Sequence, residues 1–284
     1  MTEIGFIDIL IIVLIGIIEG ITEWLPVSST GHMLVFDEFV PFAASEGFKE
    51  LFFVVIQLGA ILAVVTVFFK KMLPVTAETV VTGEKKSKKL MLDKDVLLLW
   101  LKVAVACLPS AVIGLVFDDL LEEKFGSAYW ISVMLIGYGI AFILVEFWCK
   151  HRTLKCDSLQ NITFLQAILI GLFQVLSLIP GTSRSGATII GAMIIGVSRA
   201  AGAEFTFFLA VPTMLGASAL KLIKHGFAFT SAELIAVAVG AVVAYAVSLV
   251  AIKFLMDFVK KHSFSVFGFY RIALGAVVII LTLM

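Results

Sequence analysis

Two carboxylates, Glu19 and Glu23, stand four residues apart, and hydroxyls and an imidazole follow them in the stretch E-G-I-T-E-W-L-P-V-S-S-T-G-H from Glu19 to His32. If the run before Pro26 is helical, the two acids share one face. Inside an apolar segment such a pair is costly unless it is ion-paired, solvated or metal-bound. Carboxylate oxygens, together with water and phosphate oxygens, are the ligands that Mg²⁺ or Ca²⁺ prefers; a proton or cation pathway uses the same residue types. Pro26 suits the first turn of a new helix, and Ser28, Ser29 and Thr30 suit capping it or offering hydroxyls to a ligand. Unpaired amides at such a start bind anions, phosphate above all. Ser29 and His32, three apart, can reach a common ligand from one helical turn.

A second polar interruption, Q-V-L-S-L-I-P-G-T-S-R-S-G-A-T, runs from Gln174 to Thr188. Arg184 lies between Ser183 and Ser185, after Pro180 and Gly181. Its planar fork matches phosphate oxygens bidentately. The alternative is an ion pair with Glu19 or Glu23, which would itself join the two motifs in space. Serines and threonines in apolar helices commonly bond back to a carbonyl, so the weight rests on the clusters and not on any hydroxyl alone. Gln57, in mid-segment, is read as lining the same cavity or bonding across helices. Glu204 and Arg199 read as interfacial, and Lys102, Glu146, Lys253 and Arg271 as snorkelling side chains near segment ends.

The elements that must position these groups are membrane helices. The 284 residues are 61% hydrophobic and 15% charged, against roughly 25% charged for a soluble domain, and mean hydropathy is +1.12. The apolar runs are long and lack period-2 alternation, which favours an all-α bundle over a barrel. Zero net charge offers no basic surface for nucleic acid. The Met-Thr-Glu start lacks a positive region, so the first run reads as mature structure and not as a signal peptide. Cys107, Cys149 and Cys156 have no C-x-x-C spacing and read as buried or interfacial thiols.

Residues 4–18 and 33–43 are each too short to span and flank Pro26, which predicts a re-entrant pair. Span candidates follow at 51–69, 96–117 and 128–149, then, after a second broken segment at 162–203, at 204–223, 232–256 and 268–284. The loop at 70–95 holds seven lysines and four acids, and a shorter one carries Lys150, Arg152 and Lys155; both are expected to be cytoplasmic. The Asp118–Glu123 connection is expected outside, although Lys221 and Lys224 fall on that side too. These assignments make residues 1–149 and 150–284 two halves of one transmembrane domain related by inversion: an inverted-repeat bundle of about six spans plus two re-entrant, broken helix pairs. Pro26-Val-Ser-Ser29 echoes Pro180-Gly-Thr-Ser183, and Leu58-Gly59-Ala60 echoes Leu215-Gly216-Ala217. Inverted repeats with broken helices place special residues at the repeat interface, so the motifs at 19–32 and 174–188 are expected to face each other.

The two motifs resemble those of the undecaprenyl-diphosphatase family of the bacitracin-resistance type, nearly throughout 19–32 and again in P-G-T-S-R-S-G-A-T at 180–188. V-V-I-Q-L-G-A-I-L-A at 54–63 and the 204–220 region are similar as well; Phe53 departs from the polar or acidic residue expected before V-V-I-Q. The resemblance implies hydrolysis of undecaprenyl diphosphate to undecaprenyl phosphate and inorganic phosphate, which recycles the lipid carrier of cell-wall synthesis. It places the protein in the bacterial plasma membrane, with the site open to the outer face. It implies Glu19 and Glu23 as the acidic pair, Ser29 and His32 as candidates for nucleophilic attack or proton transfer, Arg184 as the phosphate clamp, and a Mg²⁺ or Ca²⁺ ion with Glu19 and Glu23 as its ligands. Ser28, Thr30, Ser183, Ser185 and Gln57 complete the expected phosphate-binding set. Ser29, His32 and water all stay open as the nucleophile. A homodimer is also left open.

Two other classes compete. An inverted-repeat transporter or flippase of a polyprenyl phosphate would use the same intramembrane Glu and Arg. The type-2 phosphatidic-acid phosphatases use a Ser-Gly-His motif, but here Thr30 intervenes between Ser29 and Gly31, and no K-x6-R-P partner motif is present.

Overall fold

The computed structural model describes residues 4–42, 44–82, 85–150, 152, 156–226 and 229–283. Lys155 of the second basic loop and the Met-Thr-Glu start lie outside these residues. Six helices are long and apolar enough to cross a membrane: α3 (Glu46–Met72), α4 (Lys94–Phe125), α5 (Ala128–Cys149), α8 (Arg199–His225), α9 (Ser231–Lys261) and α10 (Ser265–Leu283). The chain is an all-α, multi-pass membrane protein. Two pairs of shorter helices accompany the spans, α1 (Phe6–Thr22) with α2 (Ser29–Phe39), and α6 (Phe164–Val175) with α7 (Arg184–Ile194). The 11 residues of α2 or α7 extend about 16 Å, roughly half of the hydrocarbon core.

The halves make corresponding contacts. α1 packs along α9 and α6 along α4, while α5 meets α10 and α3 meets α8. Helix backbones meet where glycine lets them. A Cβ on Gly59 would lie 2.0 Å from the carbonyl oxygen of Ala241, and one on Gly171 2.1 Å from that of Ala106. Gly216, which echoes Gly59 in sequence, has open space beside it. Phenylalanines serve two ends: Phe52, Phe205, Phe207 and Phe208 fill the core, whereas Phe6, Phe147 and Phe269 face outward. Cys107, Cys149 and Cys156 are free thiols, the first half-buried and the others buried.

The stretch expected as a loop at 70–95 holds an antiparallel pair, β1 (Val75–Thr82) with β2 (Lys85–Leu92), in register from Val75 opposite Leu92 to Thr82 opposite Lys85. The run T-V-V-T supplies β-branched residues suited to a pleated strand, and the lysine count masked that signal. Three of the four supposed snorkellers are also corrected. Glu146 is buried and accepts from Arg199, with its Nε at 2.8 Å, and from the Phe264 amide at 2.7 Å. Lys102 is buried and donates to the Gln160 carbonyl at 3.1 Å, and Arg271 is wholly buried. Lys253 alone among the four is exposed. Glu204 pairs with Lys71. Lys221 and Lys224 sit against Glu50 and Asp119, at 3.6 and 2.8 Å, so acids on the same side offset the charges that ran against the expected orientation.

Candidate active site

The site is built on two matching helix breaks. The apolar face of α1 buries Ile11, Ile12 and Ile15 and carries Glu19 and Glu23 inward at its end, where both are buried. Glu23 still belongs to the helical turn, its amide donating to the Glu19 carbonyl at 3.0 Å, so the acids do share a face. The chain then turns through Pro26, and α2 begins at Ser29, not at Pro26. Ser28 is its cap, with φ 74° and its Oγ accepting from the Gly31 amide at 3.3 Å. In the second break Ser183 caps α7 with φ 72° and accepts from the Gly186 amide at 3.3 Å. Left-handed backbone at a residue with a Cβ costs on the order of 1–3 kcal/mol. Both serines are held there by their own cap bonds. The equivalent serines are therefore Ser28 and Ser183, one residue out of register from the echo counted from the prolines. Ser29 and Arg184 become corresponding first residues of α2 and α7, and Glu19 and Gln174 each lie nine residues before their cap.

The two breaks meet, as expected. Arg184 Nη2 donates to Glu23 Oε1 at 3.0 Å and Nη1 to the Thr206 carbonyl at 3.0 Å. Both side chains of the ion pair are about nine-tenths buried. Ser29 Oγ donates to the other carboxylate oxygen, Glu23 Oε2, at 3.2 Å. Ser185 Oγ reaches the Glu23 carbonyl at 3.2 Å, and the Arg184 guanidinium lies 5.7 Å from the centre of the Trp24 ring. Glu23 is thus the hub of the site, joining the nucleophile candidate of one half to the cation of the other. Arg184 Nε is buried and has no partner among the described residues, which leaves that N–H free for a ligand.

Glu19 Oε1 is likewise buried without a partner. Among the described residues no group of three or more His, Cys, Asp or Glu side chains gathers as a metal cage. A cation held by one or two carboxylates together with substrate phosphates needs no such cage, and the unpartnered Glu19 oxygen beside Glu23 fits that donor set. Gln174, the counterpart of Glu19, is buried among Ser110 and Thr213, to which its Nε2 donates at 2.6 and 3.2 Å.

His32 points back to its own break. Its Nδ1 lies 2.7 Å from the Ser28 carbonyl and its Nε2 2.7 Å from the Tyr270 hydroxyl. Other expected site residues sit less centrally. Thr30 is exposed, Gln57 is half-buried on α3 and makes no hydrogen bond to the site among the described residues, and the hydroxyls of Ser28 and Ser183 serve as caps. Ser183 Oγ also lies 3.1 Å from Ser185 Oγ.

One residue was misread from the sequence, Arg271, and one escaped it, Tyr270. Arg271 donates from Nη2 to the carbonyls of Gly181 and Thr182, at 2.8 and 2.9 Å, and from Nη1 to that of Pro26 at 3.2 Å. One guanidinium therefore ties both breaks together through backbone oxygens. α10 starts at Ser265, so Arg271 lies nearly two turns inside the helix, where an arginine demands buried acceptors. That depth was the available signal for it. Tyr270 had none.

A family model described as bacitracin resistance protein BacA matches residues 12–277. A protein named undecaprenyl-diphosphatase from Enterococcus faecalis is 58% identical over 279 residues, covering 98% of this chain and 99% of the relative. Relatives of the same name from Lachnoclostridium phytofermentans and Lactococcus lactis subsp. lactis are 52% and 47% identical, each alignment covering 96% of both chains.

Proposed function

The chain belongs to the bacitracin resistance protein BacA family, and from that premise we propose that its buried site hydrolyses undecaprenyl diphosphate to undecaprenyl phosphate and inorganic phosphate. The reaction recycles the lipid carrier used in peptidoglycan synthesis and underlies resistance to bacitracin. The relatives' printed names specify a diphosphatase, and nothing favours the transporter or flippase alternative. The observation that carries the mechanism is the chain of contacts Ser29–Glu23–Arg184, which puts a hydroxyl on a carboxylate base and that carboxylate on a buried guanidinium.

In the mechanism we infer, Ser29 Oγ attacks the terminal phosphorus and its proton passes to Glu23 Oε2. The bond from that phosphorus to the bridging oxygen breaks, and undecaprenyl phosphate leaves with the electron pair. Water then attacks the phosphoserine, the P–Oγ bond breaks, and Ser29 Oγ recovers its proton from Glu23 as inorganic phosphate departs. His32 takes the proton of the attacking water. The free Nε–H of Arg184 answers the charge spread over the equatorial oxygens, the main electrostatic task in phosphoryl transfer. Glu19 and Glu23 would hold a Mg²⁺ or Ca²⁺ ion, which supplies positive charge to the diphosphate when bound. Both short helix pairs enter the bilayer without crossing it, from opposite faces. Lys70, Lys71 and Lys94 mark the cytoplasmic ends of α3 and α4 while Asp118, Asp119 and Glu122 lie at the far end of α4, and the family resemblance supports a site open to the outer face. The setting is the bacterial inner membrane.

Phosphate release from undecaprenyl diphosphate by purified protein in detergent, where no gradient exists, tests this reading. Wild-type protein is expected to turn over, and Arg184→Ala is expected to be inactive. Absence of release by folded wild-type protein would overturn it.

A further inference from the structure

His32 is held at both ring nitrogens, and the two bonds together fix its tautomer. The Ser28 carbonyl oxygen, 2.7 Å from Nδ1, can only accept, so Nδ1 carries the hydrogen. In the neutral ring Nε2 is then the acceptor. The group 2.7 Å from it is the Tyr270 hydroxyl, which donates. The rings lie nearly parallel, 10° between planes with centroids 5.5 Å apart, so the contact also sets the imidazole plane. Neither anchor is free to drift. Ser28 is locked at φ 74° by its cap bond. Tyr270 precedes Arg271, whose guanidinium ties α10 to the Pro26, Gly181 and Thr182 carbonyls.

We propose that Tyr270 is the positioning residue of His32 in the diphosphatase reaction. Its hydroxyl, with the Ser28 carbonyl, keeps the imidazole in the Nδ1–H tautomer, with Nε2 as the acceptor. The attacking water replaces that hydroxyl at Nε2 during turnover. After Nε2 takes up a proton, the same hydroxyl accepts from Nε2–H, so the pair is bonded before the water enters and again after the proton has moved. The inference rests on the diphosphatase reading and concerns only the group that steers His32.

Tyr270→Phe keeps the ring contact and deletes the hydroxyl. In wild-type background it is expected to lower kcat about five- to tenfold, the value of one lost neutral hydrogen bond, with KM for the lipid diphosphate unchanged. In a His32→Ala background the same change is expected to have no effect, because the tyrosine acts only through the imidazole. An equal loss in both backgrounds, a wild-type kcat for Tyr270→Phe, or a wild-type rate for His32→Ala would each overturn the proposal. A second measurement does not depend on turnover. The ¹⁵N resonances of His32, assigned among the four histidines by their disappearance in His32→Ala, are expected to report the Nδ1–H tautomer in wild type and to move toward those of a free, tautomerising imidazole in Tyr270→Phe. Unchanged resonances sink the proposal. Wild-type protein that releases no phosphate sinks the diphosphatase reading instead, and the spectrum still judges the pair.

Discussion

Glu23→Gln separates chemistry from folding at the hub of the site. Glu23 accepts two bonds, from Arg184 Nη2 at 3.0 Å and from Ser29 Oγ at 3.2 Å. Glutamine has the same shape but a single acceptor oxygen. The guanidinium, which can only donate, takes that oxygen, and the amide nitrogen is turned toward Ser29, where it donates and cannot accept. Ser29 thus keeps a neighbour and loses its base. A positioned general base contributes about 10²- to 10⁴-fold, or roughly 2.7–5.4 kcal/mol of barrier. The stability cost is much smaller. A charge-assisted bond becomes a neutral one of about half the strength, a loss of about 1 kcal/mol and a few degrees in Tm. Glu23→Ala would confuse the two effects, since stripping one partner from a buried ion pair costs about 3–5 kcal/mol. The assay is phosphate release from undecaprenyl diphosphate in detergent, beside a thermal melt of the same preparation. A kcat at least 10²-fold down with Tm nearly unchanged is expected from this reasoning. Folded Glu23→Gln within tenfold of wild type would refute Glu23 as the base.

Three further outcomes follow. Ser29→Ala is expected to lose on the order of 10³-fold or more in kcat and to yield no phosphoserine when turnover is quenched; near-normal turnover would move the attack to water and leave Ser29 a substrate contact. Arg271→Met is expected to lower stability by about 3 kcal/mol or more, because it orphans the Pro26, Gly181 and Thr182 carbonyls together, and an unchanged melting temperature would show that Arg271 does not brace the breaks. Chelation of divalent cations is expected to abolish turnover, and Mg²⁺ or Ca²⁺ to restore it, whereas full activity in excess chelator would remove the proposed ion from the mechanism.

Much of this arrangement is legible in the sequence because a membrane makes polar residues expensive. A carboxylate such as Glu23 and a guanidinium such as Arg184 call for partners in apolar helices, and the structure joins them to each other and to Ser29 by direct bonds. The six spans follow from the length of the apolar runs. What escaped has physical causes too. The serine echo is out of register by one because the spacing from the proline to the cap differs between the breaks, and only the left-handed φ at Ser28 and Ser183 reveals the equivalence. Arg271 was misplaced because the start of α10 was set three residues late, which turned a buried clamp into a snorkelling side chain. Tyr270 was invisible: a tyrosine at a half-exposed helix position has no pattern, and only the folded chain brings it 238 residues back to His32.

The charges around the breaks argue for the proposed cation independently of any relative. Two carboxylates, Glu19 and Glu23, and two guanidiniums, Arg184 and Arg271, are buried there, so the fully ionised set sums to zero. Much of the guanidiniums' hydrogen-bonding capacity is already in use. Arg271 gives Nη1 and Nη2 to three backbone carbonyls, Arg184 gives Nη2 to Glu23 and Nη1 to Thr206, and the Nε of each is buried without a partner among the described residues. A diphosphate entering this cavity adds several negative charges beside a Glu19 oxygen that has no donor of its own. A set of side chains that already sums to zero does not balance that load in a low-dielectric site. A divalent ion between the Glu19 carboxylate and the phosphates would satisfy the orphaned oxygen and the incoming charge together. At the position equivalent to Glu19 the second half carries a neutral amide, Gln174, whose Nε2 donates to Ser110 and Thr213; its Oε1 is also unpartnered among the described residues, but it carries no charge to balance. On this reasoning Glu19→Gln should remove the ion's ligand while leaving a side chain that a helix in this position can bury. Its turnover should fall and lose its dependence on added Mg²⁺ or Ca²⁺, and a variant that responds to the ion as wild type does would show that Glu19 is not the ligand.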